Sequence, residues 1–131
     1  MSVEAFGIDN QLATVELGDV SLSEGLILAR ERHGHADEVY EYAEDCLAAT
    51  RIGFARNGDD DFLEIDFTKG LIDVRYERRG PRSFLGFRPR KNETVRITSM
   101  QRFESLLADY FNRDREGFEA VFCDISGRKQ A

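Results

Sequence analysis

The sequence predicts an α+β protein, in which an antiparallel sheet of about four to six strands has two or three helices packed on one face. Apolar and polar residues alternate through 62–68 and again through 71–78, and such alternation is typical of antiparallel strands with one solvated face. No helical segment separates these strands, so a parallel sheet with helical crossovers is not expected. The length of 131 residues predicts a single domain over 1–131, with a frayed polar tail at about 126–131.

The first third of the chain contains signals for a strand and a helix. Residues 12–17 alternate and predict a short strand. Ser21 and Glu24 have the spacing of a capping box, in which each side chain accepts a hydrogen bond from the other residue's backbone N–H. They predict a helix over about 22–33, which Gly34 ends.

A second helix is predicted over 36–50, and its two faces differ. At about 100° per residue, the apolar side chains fall on one side of this helix and five carboxylates fall on the other. The five carboxylates are Asp37, Glu38, Glu41, Glu44 and Asp45. The helix is therefore expected to pack by its apolar face and to present an acidic stripe to solvent.

The pattern changes from a helical period to a period of two at Arg51. Ile52 and Phe54 indicate a strand, and the dipeptide Asn57-Gly58 is a strong hairpin signal. The three acids that follow lengthen the loop, and we interpret them as a solvated hairpin tip. They are Asp59, Asp60 and Asp61.

The last third of the chain predicts further strands and one strongly amphipathic helix. Apolar residues at 85–87 and 95–97 indicate two strands. A capping box that starts at Thr98 opens the helix 99–112. Alternation over 118–123 predicts a final strand.

Composition predicts a soluble, cytoplasmic protein that does not associate with membranes. No apolar run approaches the ~20 residues that a membrane-spanning helix needs. The first residues lack the basic and apolar regions of a signal peptide. Two cysteines are too few for a disulfide framework.

Charge is distributed unevenly along the chain, whose net charge is −7. Residues 1–66 contain 16 acids and four bases, whereas residues 67–131 contain nine acids and 14 bases. The net negative charge opposes binding to nucleic acid by the whole surface, because phosphate repels it. It favours a partner that carries a basic patch.

Candidate catalytic and metal-binding groups give no recognisable motif. His33 and His35 flank a glycine and lack the spacing of a helical zinc motif. The acids at 59–61 are adjacent, whereas a calcium loop needs alternating ligands. Cys46 and Cys123 lie on apolar faces, where a thiol is usually inert. We therefore expect no metal, no cofactor and no enzymatic activity.

An arginine-rich segment over 75–96 suggests an alternative function. Arginines interleaved with aromatic residues on a sheet occur in several proteins that bind single-stranded nucleic acid. The basic residues are Arg75, Arg78, Arg79, Arg82, Arg88, Arg90, Lys91 and Arg96, and the aromatic residues are Tyr76, Phe84 and Phe87. A small nucleic-acid-binding or ligand-binding module that uses this segment is therefore the alternative, although Phe87 shares the parity of an apolar face and is expected in the core.

The layout of residues 60–123 resembles that of a known group of proteins. Two strands, Phe62–Phe67 and Leu71–Tyr76, lead through Val95–Ser99 to the helix Phe103–Phe111, and the chain closes with Phe118–Phe122. This arrangement is similar to that of small immunity proteins encoded beside bacterial polymorphic and contact-dependent toxins. The resemblance implies a protein without enzymatic activity that binds a cognate toxin tightly and blocks its active site.

The predicted charge pattern is compatible with that role. Toxins that act on nucleic acids or nucleotides have basic substrate clefts, and charge complementarity would accelerate binding of an acidic surface to such a cleft. The surface we predict for this contact consists of Asp37, Glu38, Glu41, Glu44 and Asp45 on the helix, with Asp59, Asp60 and Asp61 on the loop. A merely solvated acidic face is the competing interpretation.

Overall fold

The fold is a six-stranded antiparallel sheet with helices on one face, which confirms the predicted α+β class. The computed structural model describes residues 2–8, 13–36, 50–56, 58, 60–79 and 90–130. The strands are β1 (Val3–Ile8), β2 (Thr14–Val20), β3 (Arg51–Arg56), β4 (Asp61–Thr68), β5 (Leu71–Arg79) and β6 (Arg90–Ile97). Their order across the sheet is β2-β1-β3-β4-β5-β6, and every neighbouring pair is antiparallel.

Three helices occur in the described part of the chain: α1 (Leu22–His35), α2 (Met100–Asn112) and α3 (Arg115–Gln130). None of them is both long and apolar enough to cross a membrane. Side chains that alternate along β3, β4 and β5 form the sheet side of the core, and the helices cover them. The predicted apolar face of α2 is confirmed, since Phe103, Leu107 and Tyr110 have no exposed surface.

Sheet pairing determines the first two strands, which sequence patterning describes poorly. β1 was not predicted, although Val3 and Ala5 are buried in it. The strand predicted over 12–17 begins two residues before β2 begins and ends three residues before β2 ends, because Gly18 interrupts the alternating pattern. Gly18 instead has φ 94° inside the strand, where the register with β1 shifts by one residue. A glycine at such a bulge adopts the positive φ without strain.

The final strand predicted over 118–123 is wrong, because these residues lie in helix α3. Phe118, Ala120 and Phe122 alternate with Glu119, Val121 and Cys123. Phe118 and Phe122 are also four residues apart and share one helix face. Asp114 precedes the helix, and its carboxylate accepts a hydrogen bond of 2.8 Å from the Gly117 N–H. This N-cap stabilises the first turn of the helix. Helix α3 continues through Gln130 and so includes most of the polar tail predicted from residue 126, whose fraying stays a prediction.

Helix boundaries follow the capping side chains. Ser21 and Glu24 form the predicted capping box, and α1 continues past Gly34 to His35. The predicted box at Thr98 is wrong by one residue, because the Ser99 hydroxyl accepts from the Arg102 N–H and caps α2.

Two predicted elements cannot be compared with the structure. The acidic helix over 36–50 falls mostly on residues 37–49, and the strand at 85–87 falls within residues 80–89. Both segments lie outside the described residues.

Replacing Ser21 by alanine should lower the free energy of unfolding by about 0.5–2 kcal/mol, because α1 loses its N-cap acceptor. Ser23→Ala is the matched control, because Ser23 is an exposed serine in the first turn of α1, two residues after the N-cap. Its replacement should change stability by less than about 0.5 kcal/mol. Urea unfolding of the two variants measures the difference. Equal values for both would show that the capping box does not stabilise the helix.

Candidate functional site

A buried ion pair joins the ends of β3 and β4. The side chains of Arg56 and Asp61 have no exposed surface, and the guanidinium contacts both carboxylate oxygens. The Arg56 Cζ also lies 4.3 Å from the ring centroid of Tyr110 and 5.6 Å from that of Phe118. A buried charge pair is tolerated only where each remaining polar group is also satisfied.

Two tyrosines satisfy the remaining lone pairs of Asp61. The Tyr76 hydroxyl donates to Oδ2 at 2.7 Å, and the Tyr110 hydroxyl lies 3.0 Å from Oδ1. Burial raises the pKa of both tyrosines well above the usual range, and the Asp61 carboxylate adds to the shift. Both hydroxyls therefore remain protonated and able to donate at neutral pH.

Arg56 also closes the end of helix α2. Its Nη1 donates to the carbonyl oxygens of Tyr110 at 3.3 Å and Arg113 at 2.7 Å. The last carbonyls of a helix have no partner within the helix, so these bonds satisfy them. Burial alone would lower the pKa of Arg56, but Asp61 outweighs it and the pKa is raised. The buried cluster of Arg56, Asp61, Tyr76, Tyr110 and Phe118 thus fixes helices α2 and α3 to the β3–β4 hairpin.

Asp60 and Asp61, two acids of the hairpin, differ in burial. Asp61 is buried, so the prediction that it belongs to a solvated hairpin tip is wrong. Asp60 is exposed in the turn, and Asp59 lies outside the described residues. A sequence signal for the burial of Asp61 existed, because it shares the parity of Leu63 and Ile65, the buried face of β4. The same parity places Arg56 with Phe54.

A second buried arginine, Arg78, lies on the same side of the sheet as Arg56. Its Nη2 donates to Glu93 at 3.1 Å, and its Nε lies 3.1 Å from a Glu119 carboxylate oxygen. Burial would lower the pKa of Arg78, but these two carboxylates raise it. Cys123, predicted to be buried, is exposed nearby. Desolvation and the adjacent Glu93 raise the pKa of its thiol, which therefore remains a poor nucleophile.

A groove of about 520 Å³ opens beside this cluster. Its lining includes Ala55, Asp60, Phe62, Glu77 and Arg78. Ionisable groups converge here, as a small-molecule site would require. Arg56 and Asp61 also line this groove, but their side chains are fully buried and already bonded to each other.

The face of the sheet opposite the helices carries rows of charged side chains. One row across four strands reads Arg51, Asp66, Asp73 and Arg96. Arg51 pairs with Asp66 at 3.2 Å, and Arg96 pairs with Asp73 through two bonds of 2.9 and 3.3 Å. In the next row, Arg75 pairs with Glu64. Arg75, Arg78 and Arg96, all in the arginine-rich segment, thus have carboxylate partners.

The two central acids of the first row, Asp66 and Asp73, are direct cross-strand neighbours. Like charges in this position are unfavourable. Burial raises the pKa of Asp66 and the carboxylates of Asp73 and Glu64 raise it further, which outweighs the opposing effect of Arg51. Because the raised pKa belongs to the folded state, the contribution of Asp66 to stability is present below its ordinary pKa and is lost as pH rises through the raised value.

Asp66→Asn should therefore increase the free energy of unfolding at neutral pH, by less than about 1 kcal/mol because the side chain is 27% exposed and partly screened by solvent. The gain should disappear below about pH 4, where both states bind the proton. Denaturant unfolding across this pH range measures it. Asp109→Asn, which removes an exposed partner of Arg113, is the control and should give no gain. A variant that is less stable than the wild type at pH 7 would contradict the assignment.

The opposite edges of the sheet differ in charge. β1 and β2 together contain three acids, Glu4, Glu16 and Asp19, and no base. β6 contains three bases and one acid. The sheet therefore has an acidic edge at β2 and a basic edge at β6.

The predicted contact residues of the helix, Asp37, Glu38, Glu41, Glu44 and Asp45, lie outside the described residues, so their role stays a prediction. Of the two histidines, His33 packs edge-on against Phe67 at 5.8 Å. Among the described residues, no group of three or more potential ligands is placed to hold a metal ion.

Comparisons with protein-family models, with curated proteins and with solved structures found no match for the chain. A candidate function is therefore inferred from the surfaces of the chain itself.

Proposed function

We propose that this chain is an immunity protein, which binds a cognate bacterial toxin and neutralises it by covering the toxin's active site. The proposal is carried by the acidic edge of the sheet, where β1 and β2 present Glu4, Glu16 and Asp19 without a base. The acid-rich segment 37–45 belongs to the same half of the chain. An active site that binds nucleic acid or nucleotides is basic, and a surface of this sign complements it.

The pairing of the arginines supports a protein partner over a nucleic acid. Single-strand binders need guanidinium groups that are available to phosphates and bases. Here Arg75 and Arg96 are already paired with carboxylates on the open face, and Arg78 is buried between Glu93 and Glu119. At Arg75 and Arg96, phosphate would have to displace these carboxylates.

The direct test is coexpression with the product of the neighbouring reading frame. We expect that product to stop growth when it is expressed alone in a bacterial host, and growth to return when this chain is expressed with it. The two purified proteins should form a stoichiometric complex on gel filtration. A harmless neighbour, or a toxic one that this chain neither binds nor neutralises, would refute the immunity role.

Charge reversal tests the acidic face that the sequence predicts for residues 37–45. If the face steers association, Glu41→Lys with Glu44→Lys should slow association with the toxin by about 10-fold or more at low salt and should flatten its salt dependence. Stopped-flow or biosensor kinetics measure the rate. If the face is instead buried in the contact, the same change should mainly accelerate dissociation.

The matched control reverses two exposed acids on α3, Glu116→Lys and Asp124→Lys, and changes the net charge equally. It should leave association within about threefold of the wild type, since steering depends on where the charge lies. Equal slowing by both double variants would show that only net charge matters. No change of either rate constant by the helix variant would exclude the acidic helix face from the contact.

A further inference from the structure

Strand β2 lies at one end of the sheet and has one strand neighbour, β1, among the described residues. The outer edge of such a strand presents backbone N–H and C=O groups that can pair with another chain. Every residue from Thr14 to Asp19 is exposed. The outer side of β2 is therefore accessible along almost its whole length.

The two sides of β2 differ in chemistry. Val15 is 41% exposed and Leu17 is 40% exposed. Val15 lies opposite Gly7, and a Leu17 methyl group approaches to 3.7 Å of the point where a Cβ on Gly7 would lie. Both side chains therefore project on the helix side of the sheet. Glu16 lies opposite Phe6 and projects on the other side.

Asp19 lies opposite Glu4, on the same side as Glu16. One side of the edge is thus apolar and the other side is acidic. A strand that pairs with this edge would be complementary if its side chains alternated between apolar and basic residues.

The other edge of the sheet has the features that prevent pairing. β6 carries Arg90, Lys91, Glu93 and Arg96, and among its described side chains the apolar ones, Val95 and Ile97, are buried. Charged residues on an edge, lysine above all, discourage the addition of a further strand. β2 has two exposed aliphatic residues where β6 has charges.

We propose that β2 accepts an extended segment of a partner protein as a seventh strand. The apolar side chains of that segment would pack on Val15 and Leu17, and its basic side chains would face Glu16 and Asp19. This inference rests on the proposed function for the identity of the partner, the toxin. Backbone hydrogen bonds would supply affinity, and the alternating side chains would supply specificity. A second copy of this chain fits less well, because it would add the same acids to an acidic edge.

The test uses a defined probe, a capped peptide of about eight alternating lysine and valine residues, a usual strand length. Amide hydrogen exchange of the full chain is followed by NMR with and without the peptide. We expect the outward amides of β2 to exchange about tenfold more slowly once the peptide is near saturation, with β6 unchanged. A peptide of alternating glutamate and valine should protect neither edge.

Variants distinguish specific binding of the peptide at the β2 edge from nonspecific binding. Val15→Lys with Leu17→Lys should abolish the protection, and so should Glu16→Lys with Asp19→Lys, which leaves the aliphatic residues in place. Ile27→Lys is the control, because Ile27 is 54% exposed on α1 and its loss should leave the protection intact. Circular dichroism verifies that each variant is folded.

The proposal is overturned if the basic peptide leaves β2 unprotected, if it protects β6 equally, or if protection survives both double variants. Protection of β2 that rises with protein concentration in the absence of peptide would identify a second copy as the occupant and would also overturn it. These outcomes are independent of the immunity role. A toxin complex that the β2 variants do not weaken would retain the immunity role and exclude this edge from it.

Discussion

Asp61→Asn is expected to lower the free energy of unfolding by about 3–5 kcal/mol, because it leaves a buried guanidinium without its counter-ion. Arg56 has no exposed side-chain surface and cannot recover the loss from water. The change also removes the charged acceptor of the Tyr76 and Tyr110 hydroxyls. Chemical denaturation at neutral pH, monitored by tyrosine fluorescence and circular dichroism, measures the effect.

The matched control for this prediction is Asp73→Asn, the same substitution at an exposed ion pair with Arg96. We expect it to change stability by less than about 1 kcal/mol, since exposed pairs contribute little. If Asp61→Asn behaves like this control, the buried pair is not formed in solution. A double change that replaces Arg56 and Asp61 together should cost less than the two single changes combined.

Phe118→Ala is expected to lower the free energy of unfolding by about 3–5 kcal/mol, because it leaves a cavity where α3, α2 and the sheet meet. The Phe118 ring is fully buried and lies 4.9 Å from that of Tyr76 and 5.0 Å from that of Tyr110, centroid to centroid. It also faces the Arg56 guanidinium. The truncation therefore loses apolar burial and aromatic contacts in one step.

Two control variants test the burial of Phe118 and the helical conformation of α3. Phe6→Ala removes the same side chain from the open face, where the ring is half-buried, and should cost about 1–2 kcal/mol. Ala120→Glu distinguishes a helix from a strand, because a strand would place residue 120 on the buried side with Phe118. In α3 residue 120 is exposed, so we expect less than about 0.5 kcal/mol. A large loss from Ala120→Glu would argue for a strand.

Local patterns in the sequence were sufficient for much of the fold. Strands β3, β4 and β5 follow from strict alternation, because burial of one face fixes every second side chain. α1 follows from the capping box at Ser21, and α2 follows from its apolar face. These features depend on neighbours within a few residues, so the sequence by itself determines them.

Other features depend on residues far apart in the chain. Phe118 and Phe122 satisfy both a strand and a helix pattern, and only the apolar space between Tyr76 and Tyr110 selects the helix. The sequence pattern of β1 does not distinguish it as a strand, and its pairing with β2 and β3 on both sides establishes it. Local propensity cannot supply this information, because the deciding contacts are tertiary.

The candidate surfaces show the same division. Charge sums over the sequence predicted an acidic half, but the sheet order decided that β2 and β6 are the edges and that they differ in sign. Adjacency in the sequence suggested one role for the three aspartates, although Asp61 shares the parity of the buried face of β4. The tertiary structure distinguishes Asp61 from the exposed Asp60, because Asp61 meets a buried arginine and two tyrosine hydroxyls that compensate its desolvation. Composition thus determined the sign of the charge, and the packing of distant residues decided which charges are buried and which face solvent.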